Sequence, residues 1–443
     1  MEELLWFVWK HRLFPLTTLT TIDGKAVEVL DAGLQNRDAG PDFSDAKVII
    51  DGIEWAGNVE LHTKASDWFL HHHDEDERYD SIILHVVEES DATLHRRSGE
   101  LIPQLVLPIP DTTRERYREL LTNDHYPPCY RMAGSLGRLM MHSWLSALLC
   151  ERLEIRCTQI AQRYEQHDMN WNDALFATLA RNFGFGVNGD AFEAWARCMP
   201  FRAADKHRDN LLQVEALFFG QAGLLDIHAL PTHCRDRAAQ EPYYIQLCQE
   251  YRFLAHKFEL KGINYPLWKF ARMRPDNSPF VRMAQLAMLY HRGVFTVAGI
   301  TAAHGKDDLL PLLHTGTSSY WNTHSTFGSP ATSARPKTIG EGSITLILIN
   351  TIAPFLFFYG KRHDDEECCE RALTLLEQLP AENNFIIRGW KECGLEVKSA
   401  ADSQALIQLK RNYCERKDCL RCRIGFECMK RSITIPNVKD QNT

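Results

Sequence analysis

The chain has 443 residues, enough for two or three domains and a sizeable core. Hydrophobic residues make up 44% and charged residues 24%, which excludes wholesale disorder. The formal net charge of −8 excludes a protein coated in basic surface, so any nucleic-acid contact requires a local basic patch or bound metal.

Glu2 to Leu13 is apolar at helical spacing and ends before Pro15. Strand-like runs follow at Val27 to Leu30, Ala46 to Ile50 and Trp55 to Lys64, with an Asp51-Gly52 turn between the last two. The polar, His-rich stretch Asp67 to Asp80 is expected to hold a short helix. Ile82 to Val87 reads as a buried central strand, and Gln104 to Leu107 as another. Helix, three strands, helix, strand is the order of an α+β layer built on one mixed sheet.

Thr112 to Leu121 is a charged helix, and Tyr126-Pro127-Pro128 marks a boundary. Helical periodicity then dominates to about Leu313. A Gly/Ser/Thr-rich segment, His314 to Thr338, interrupts it; Trp321-Asn322-Thr323-His324 within it reads as a lid or as a packed loop. Ile344 to Gly360 lacks charge but contains Asn350 and Pro354, so a buried core helix is expected rather than a membrane span. A last helix, Asp402 to Tyr413, leads into clustered cysteines. The expected division is 1–125, 126–401 and 402–443. The first residues carry no pattern of a secretory signal, and most of the thirteen cysteines are scattered singly. Reduced thiols in a cytoplasmic protein are therefore expected, with no membrane partner.

The chemistry concentrates in two places. Asp42 precedes a strand, and Glu60, His62 and Lys64 alternate along the next one, so the three share a face. An acid, an imidazole and an amine in a row line a cleft more readily than they build a core. Two carboxylates from adjacent strands are hard ligands for a divalent ion that activates water. Nearby, Asp67, His73, Tyr79 and His85 are candidates for substrate contact or for supporting the ligands, although the bland reading of this stretch is a solvated polar helix.

The second place is Cys414-x4-Cys419-x2-Cys422-x5-Cys428. Four thiolates so close in sequence suit one structural zinc or one [4Fe–4S] cluster. Lys and Arg, including Arg421 and Arg423, outnumber acids around them, making a patch that suits a phosphate backbone or neutralises the thiolates. Arg272 and Arg274, with Arg282, offer either a second phosphate-contacting loop or an arginine network capping helices.

Pro41-Asp42 followed by Glu60-x-His62, in this order of elements, resembles the PD-(D/E)XK nuclease superfamily. That resemblance implies phosphodiester hydrolysis with Mg²⁺ or Mn²⁺ on Asp42 and Glu60. It gives the usual Lys position to His62, with Lys64 a displaced substitute, and assigns Glu3 the acidic place on the first helix. The departure from Lys to His leaves a non-catalytic nucleic-acid-binding or scaffold protein on a decayed nuclease fold as the alternative. A metallohydrolase acting on a small substrate through His71 to His85 is a third reading. The cysteine spacing is similar to the iron–sulfur loop of endonuclease-III-like glycosylases and to the cluster that tethers the C-terminus of some PD-(D/E)XK helicase-nucleases. More broadly, Gly40-Pro41-Asp42-Phe43, Val59-Glu60-Leu61-His62, Ser66-Asp67-Trp68 and Arg272-Met273-Arg274-Pro275-Asp276-Asn277 resemble an uncharacterised bacterial family of unknown function.

Overall fold

The computed structural model describes residues 2–14, 19–36, 38–107, 109–271, 273–331 and 333–430. The fold is α+β, a mixed sheet followed by a large helical region, and it divides into two compact units. One comprises residues 1–144, 384–396 and 407–443; the other comprises 145–383 and 397–406.

In the first unit, helix α1 (Glu2–Lys10) buries Leu4, Leu5, Phe7, Val8 and Trp9. The Trp9 indole donates to the Ala32 carbonyl at 3.0 Å, which anchors the helix to the strands. The strands are β1 (Leu19–Thr20), β2 (Ala26–Asp31), β3 (Leu34–Gln35), β4 (Phe43–Ile50), β5 (Ile53–Lys64), β6 (Ile82–Glu89) and β7 (Gln104–Val106). Their order is β1-β2-β4-β5-β6-β7, with β3 added to β4. The pairs up to β4–β5 are antiparallel, while β5–β6 and β6–β7 are parallel. An antiparallel bridge from Thr21 to Leu105 joins the two ends, so the sheet nearly closes on itself.

The expected strands are present, each within a few residues of its anticipated limits; β1 and β3 are too short to leave a periodic signal. Asp51 and Gly52 turn β4 into β5 with φ of 51° and 81°, a left-handed pair that glycine adopts without a Cβ penalty. Phe43, Ala46, Val48 and Ile50 of β4 share the apolar core with Val59 and Leu61 of β5. All six residues Ile82–Val87 are buried, as a strand flanked on both sides requires.

The polar stretch after β5 forms only a one-turn helix, α2 (Asp67–Leu70), and a 3₁₀ turn, Glu77–Tyr79. Helix α3 (Asp111–Thr122) completes this layer. Of the segment expected as 402–443, residues 407–430 belong to this unit and 402–406 to the other. Helix Arg423–Lys430 brings Phe426 against Phe7 and His11, with ring centroids 5.9 and 4.7 Å away, and buries Met429 in the sheet's core. This apolar face, not chain continuity, decides which unit the segment joins.

The second unit is helical. Trp171–Phe183 pairs with Gly189–Cys198, and Leu211–Gln221 packs against Pro242–Phe258 and Pro279–Arg292. The Gly/Ser/Thr-rich segment is a packed loop: Trp321 and Phe327 are fully buried, and Trp321 stacks on Phe219 at 5.3 Å. Glu341–His363 is the one helix among the described residues long and apolar enough to cross a membrane, and 61% of its most apolar stretch is buried in the protein. Packing against Glu366–Gln378 accounts for its composition.

Candidate metal centre

Strand alternation sends Val59 and Leu61 into the core and leaves Glu60 and His62 on the opposite face of β5. There they are also buried, at 4% and 1% exposure. His85 is the register partner of Glu60 on β6 and projects on the same side, fully buried. Asp42, just before β4, is tied to Glu60 by reciprocal bonds. Its amide donates to Glu60 Oε2 at 2.9 Å, while the Leu61 amide donates to Asp42 Oδ2 at 3.0 Å.

The histidines come from the turn after α2. His72 takes a left-handed φ of 57° and points to solvent, which lets His71 and His73 on either side face the sheet. A continuous helix would have splayed these three side chains; the turn gathers two of them. His62 Nε2 lies 3.1 Å from His71 Nδ1 and 3.7 Å from Glu60 Oε1, and His73 Nε2 lies 3.2 Å from Glu60 Oε1. One nitrogen from each of His62, His71 and His73 lies within 4.8 Å of the other two. Trp68 and Tyr79 pack the set from the side, Tyr79 stacking on His73 at 3.8 Å.

The charge states follow from burial. Desolvation raises the Asp42 carboxyl, and the charges of Glu60 and Glu2 raise it further. Glu60 is raised by burial against the opposing bond from the Asp42 amide. Desolvation, helped by neighbouring imidazoles, pulls His62 down to about 2, and burial pulls His85 down to about 3. His73 is lowered by burial despite the acids facing it. At neutral pH His62, His73 and His85 are therefore uncharged, as ligation demands of an imidazole.

These groups fit a divalent ion. His73 Nε2 is buried and faces Glu60 out of hydrogen-bond alignment, with no hydrogen-bond partner among the described residues. Metal–ligand bonds near 2.1 Å put neighbouring ligand atoms about 3.0–3.4 Å apart, close to the separations here. Ligation through His62 Nε2 requires the proton on Nδ1, which His85 Nε2, 2.8 Å away, accepts.

Other expected residues lie elsewhere. Lys64 pairs with Glu89 at 3.2 Å on the surface, because the strand carries it past the end of the cleft. Asp67 caps the Lys64 amide at 3.0 Å. Glu3 is exposed and turned toward Tyr117; its neighbour Glu2, one helical step away, is the acid whose charge reaches Asp42 and Glu60. Arg272 lies outside the described residues, and Arg274 is exposed. Arg282 is buried and donates to Asn277, Gln285 and Ser343. Arg421 pairs with Asp418 at 3.2 Å, and Arg423 donates to Ser143 at 3.0 Å. His71, which the sequence offers only through the small-substrate metallohydrolase reading, joins His62 and His73 here; its signal is the run of three histidines.

Cys414, Cys419 and Cys422 line one small hollow together with Cys129, a fifth thiol that the C-terminal spacing gave no reason to include. Cys428 bonds to Cys129 and is 4% exposed.

No curated protein and no solved structure matches the chain. A family model described as a protein of unknown function (DUF2851) matches residues 2–385, from α1 through the candidate centre and most of the helical region. The chain belongs to this family.

Proposed function

We propose that the protein is a metal-dependent hydrolase of phosphodiester bonds in nucleic acid, with its centre on Asp42, Glu60 and the imidazoles of His62, His71 and His73. The observation that carries this reading is the placement of buried Glu60, tied to Asp42, beside the imidazoles of His62 and His73, with His71 next to His62. The succession of an antiparallel meander and a parallel fourth strand, with the acids at the start of one strand and within the next, supports a PD-(D/E)XK-like core.

Mixed carboxylate and imidazole ligands favour Mn²⁺ over Mg²⁺, which prefers oxygen alone. When bound, the ion supplies positive charge to the phosphate and makes water more acidic. Asp42 and Glu60 lose their protons as they ligate. A group held near the His62 value is a poor proton acceptor at neutral pH, so His62 serves to hold and orient rather than as general base. The attacking water gives its proton to solvent as oxygen adds to phosphorus; the bond to the nucleoside oxygen breaks, and that oxygen takes a proton from solvent. Arg421, Arg423 and the surrounding basic residues, with Arg274, are proposed to hold phosphate backbone.

The test is cleavage of single- and double-stranded DNA and RNA with Mn²⁺. Wild type should cleave, and Glu60→Gln should lose at least about 100-fold. Absence of cleavage, or equal cleavage by the variant, overturns the reading. Salt-sensitive binding without cleavage instead supports the non-catalytic alternative.

A further inference from the structure

The C-terminal cysteines do not complete their site alone. Cys129 lies in the loop beyond α3, far from them in sequence, yet it lines the same hollow as Cys414, Cys419 and Cys422 and bonds to the Cys428 thiol. Cys422 and Cys428 are 8% and 4% exposed. No disulfide joins these five thiols.

Burial raises the Cys414, Cys419 and Cys422 thiols, and several neighbouring groups oppose that rise. The amides of Ile424 and Gly425, at the start of helix Arg423–Lys430, donate toward Cys422. A Cβ at position 425 would meet the Cys419 carbonyl oxygen at 2.0 Å, so glycine is what lets the helix close against the loop. Lys410 stands close to Cys414 and Lys417 close to Cys419, each with a positive charge that favours the thiolate.

Four thiolates suit one tetrahedral zinc or one cubane; the compact run Cys414-x4-Cys419-x2-Cys422-x5-Cys428 lacks the two widely separated Cys-x2-Cys pairs of zinc ribbons, which favours the cubane.

We propose that Cys129 is a ligand, together with three of Cys414, Cys419, Cys422 and Cys428, of a [4Fe–4S] cluster that staples the C-terminal segment to the loop after α3. Transfer of a preformed cluster from a thiolate-ligated cluster donor forms four Fe–S bonds to these cysteines and breaks the four to the donor, whose thiolates take up the four S–H protons, without electron transfer. The staple reinforces contacts already made by this segment, among them Arg116 Nη1 to the Met429 carbonyl at 3.1 Å and Lys417 Nζ to the Asn123 carbonyl at 2.9 Å.

The test is iron and acid-labile sulfide in full-length protein purified anaerobically, with absorbance near ~400 nm. Wild type should carry about four irons per chain, Cys129→Ala should lose most of them, and Cys150→Ala, an exposed thiol outside the hollow, should keep them. Circular dichroism of Cys129→Ala identifies a folded variant. If that variant does not fold, cysteine alkylation followed by mass spectrometry replaces it: Cys129 should be protected in the loaded wild type and labelled after chelation. Full iron in folded Cys129→Ala, Cys129 labelled equally in both states, a colourless wild type, or one zinc in place of iron each overturns the proposal. None of these readouts depends on nucleic-acid cleavage, so the staple and the hydrolase stand or fall separately.

Discussion

Asp42 and Glu60 hold each other through the backbone rather than through their carboxyl groups. The Asp42 amide donates to Glu60, and the amide after Glu60 donates to Asp42, at 2.9 and 3.0 Å. Each carboxylate is thus fixed by the backbone beside the other, and Glu60 Oε1 is left to face His62 and His73. Loss of either acid should therefore disturb both. Asp42→Asn and Glu60→Gln are each expected to weaken Mn²⁺ binding by at least about tenfold, measured by titration calorimetry. Undiminished affinity in both variants would remove the two carboxylates from the centre.

Stability of the metal-free protein should be nearly flat from about pH 4.5 to about 6.5, where the two carboxyls and two imidazoles oppose each other, and should fall on the alkaline side. Asp42 and Glu60 are raised to about 8, so between their unfolded values near 4 and about 8 the native state holds more protons, and stability falls as pH rises. His62 and His85 are lowered to about 2 and about 3, so below pH ~6.5 the unfolded state holds more protons, and stability falls as pH drops. Above ~6.5 only the carboxyl slope survives, up to about 1.4 kcal/mol per pH unit for each proton. Thermal melts from pH 4.5 to 8.5 should decline on the alkaline side without metal, and Mn²⁺ should reverse that decline. An alkaline slope unchanged in Glu60→Gln would contradict this origin.

His72 and His73 are adjacent and should behave oppositely. His73→Ala removes a nitrogen 3.2 Å from Glu60 and is expected to cost about 10–100-fold in metal affinity. His72→Gly relieves a left-handed φ of 57° at an exposed position and should leave affinity unchanged while raising stability by a few tenths to about 1 kcal/mol. Calorimetry and melting of the two variants check both halves.

Lys64 pairs with Glu89 in solvent, an interaction worth little. Lys64→Met should change stability by less than about 0.5 kcal/mol and cleavage by less than about twofold. A loss comparable to that of Glu60→Gln would mean that the lysine reaches the centre after all.

Trp321 is fully buried and stacked on Phe219, so Trp321→Ala should destabilise the helical unit by about 3–5 kcal/mol in denaturant unfolding. A change confined to substrate binding would instead mark the segment as a lid.

Strand and helix periodicity in the sequence determined most elements, because burial on one face imposes a period of 2 or 3.6 wherever an element is long enough. The same alternation put Glu60 and His62 on one face and marked Asp42 as their neighbour. Three things were decided only in three dimensions. The left-handed turn at His72, which no periodicity records, gathers His71 and His73 beside Glu60. Which acid of α1 serves the cleft depends on helix rotation against the sheet, and a single step exchanges Glu3 for Glu2. The joining of Cys129 to the C-terminal cysteines depends on Phe426 and Met429 packing on the first unit, a contact between distant parts of the chain that local spacing cannot encode.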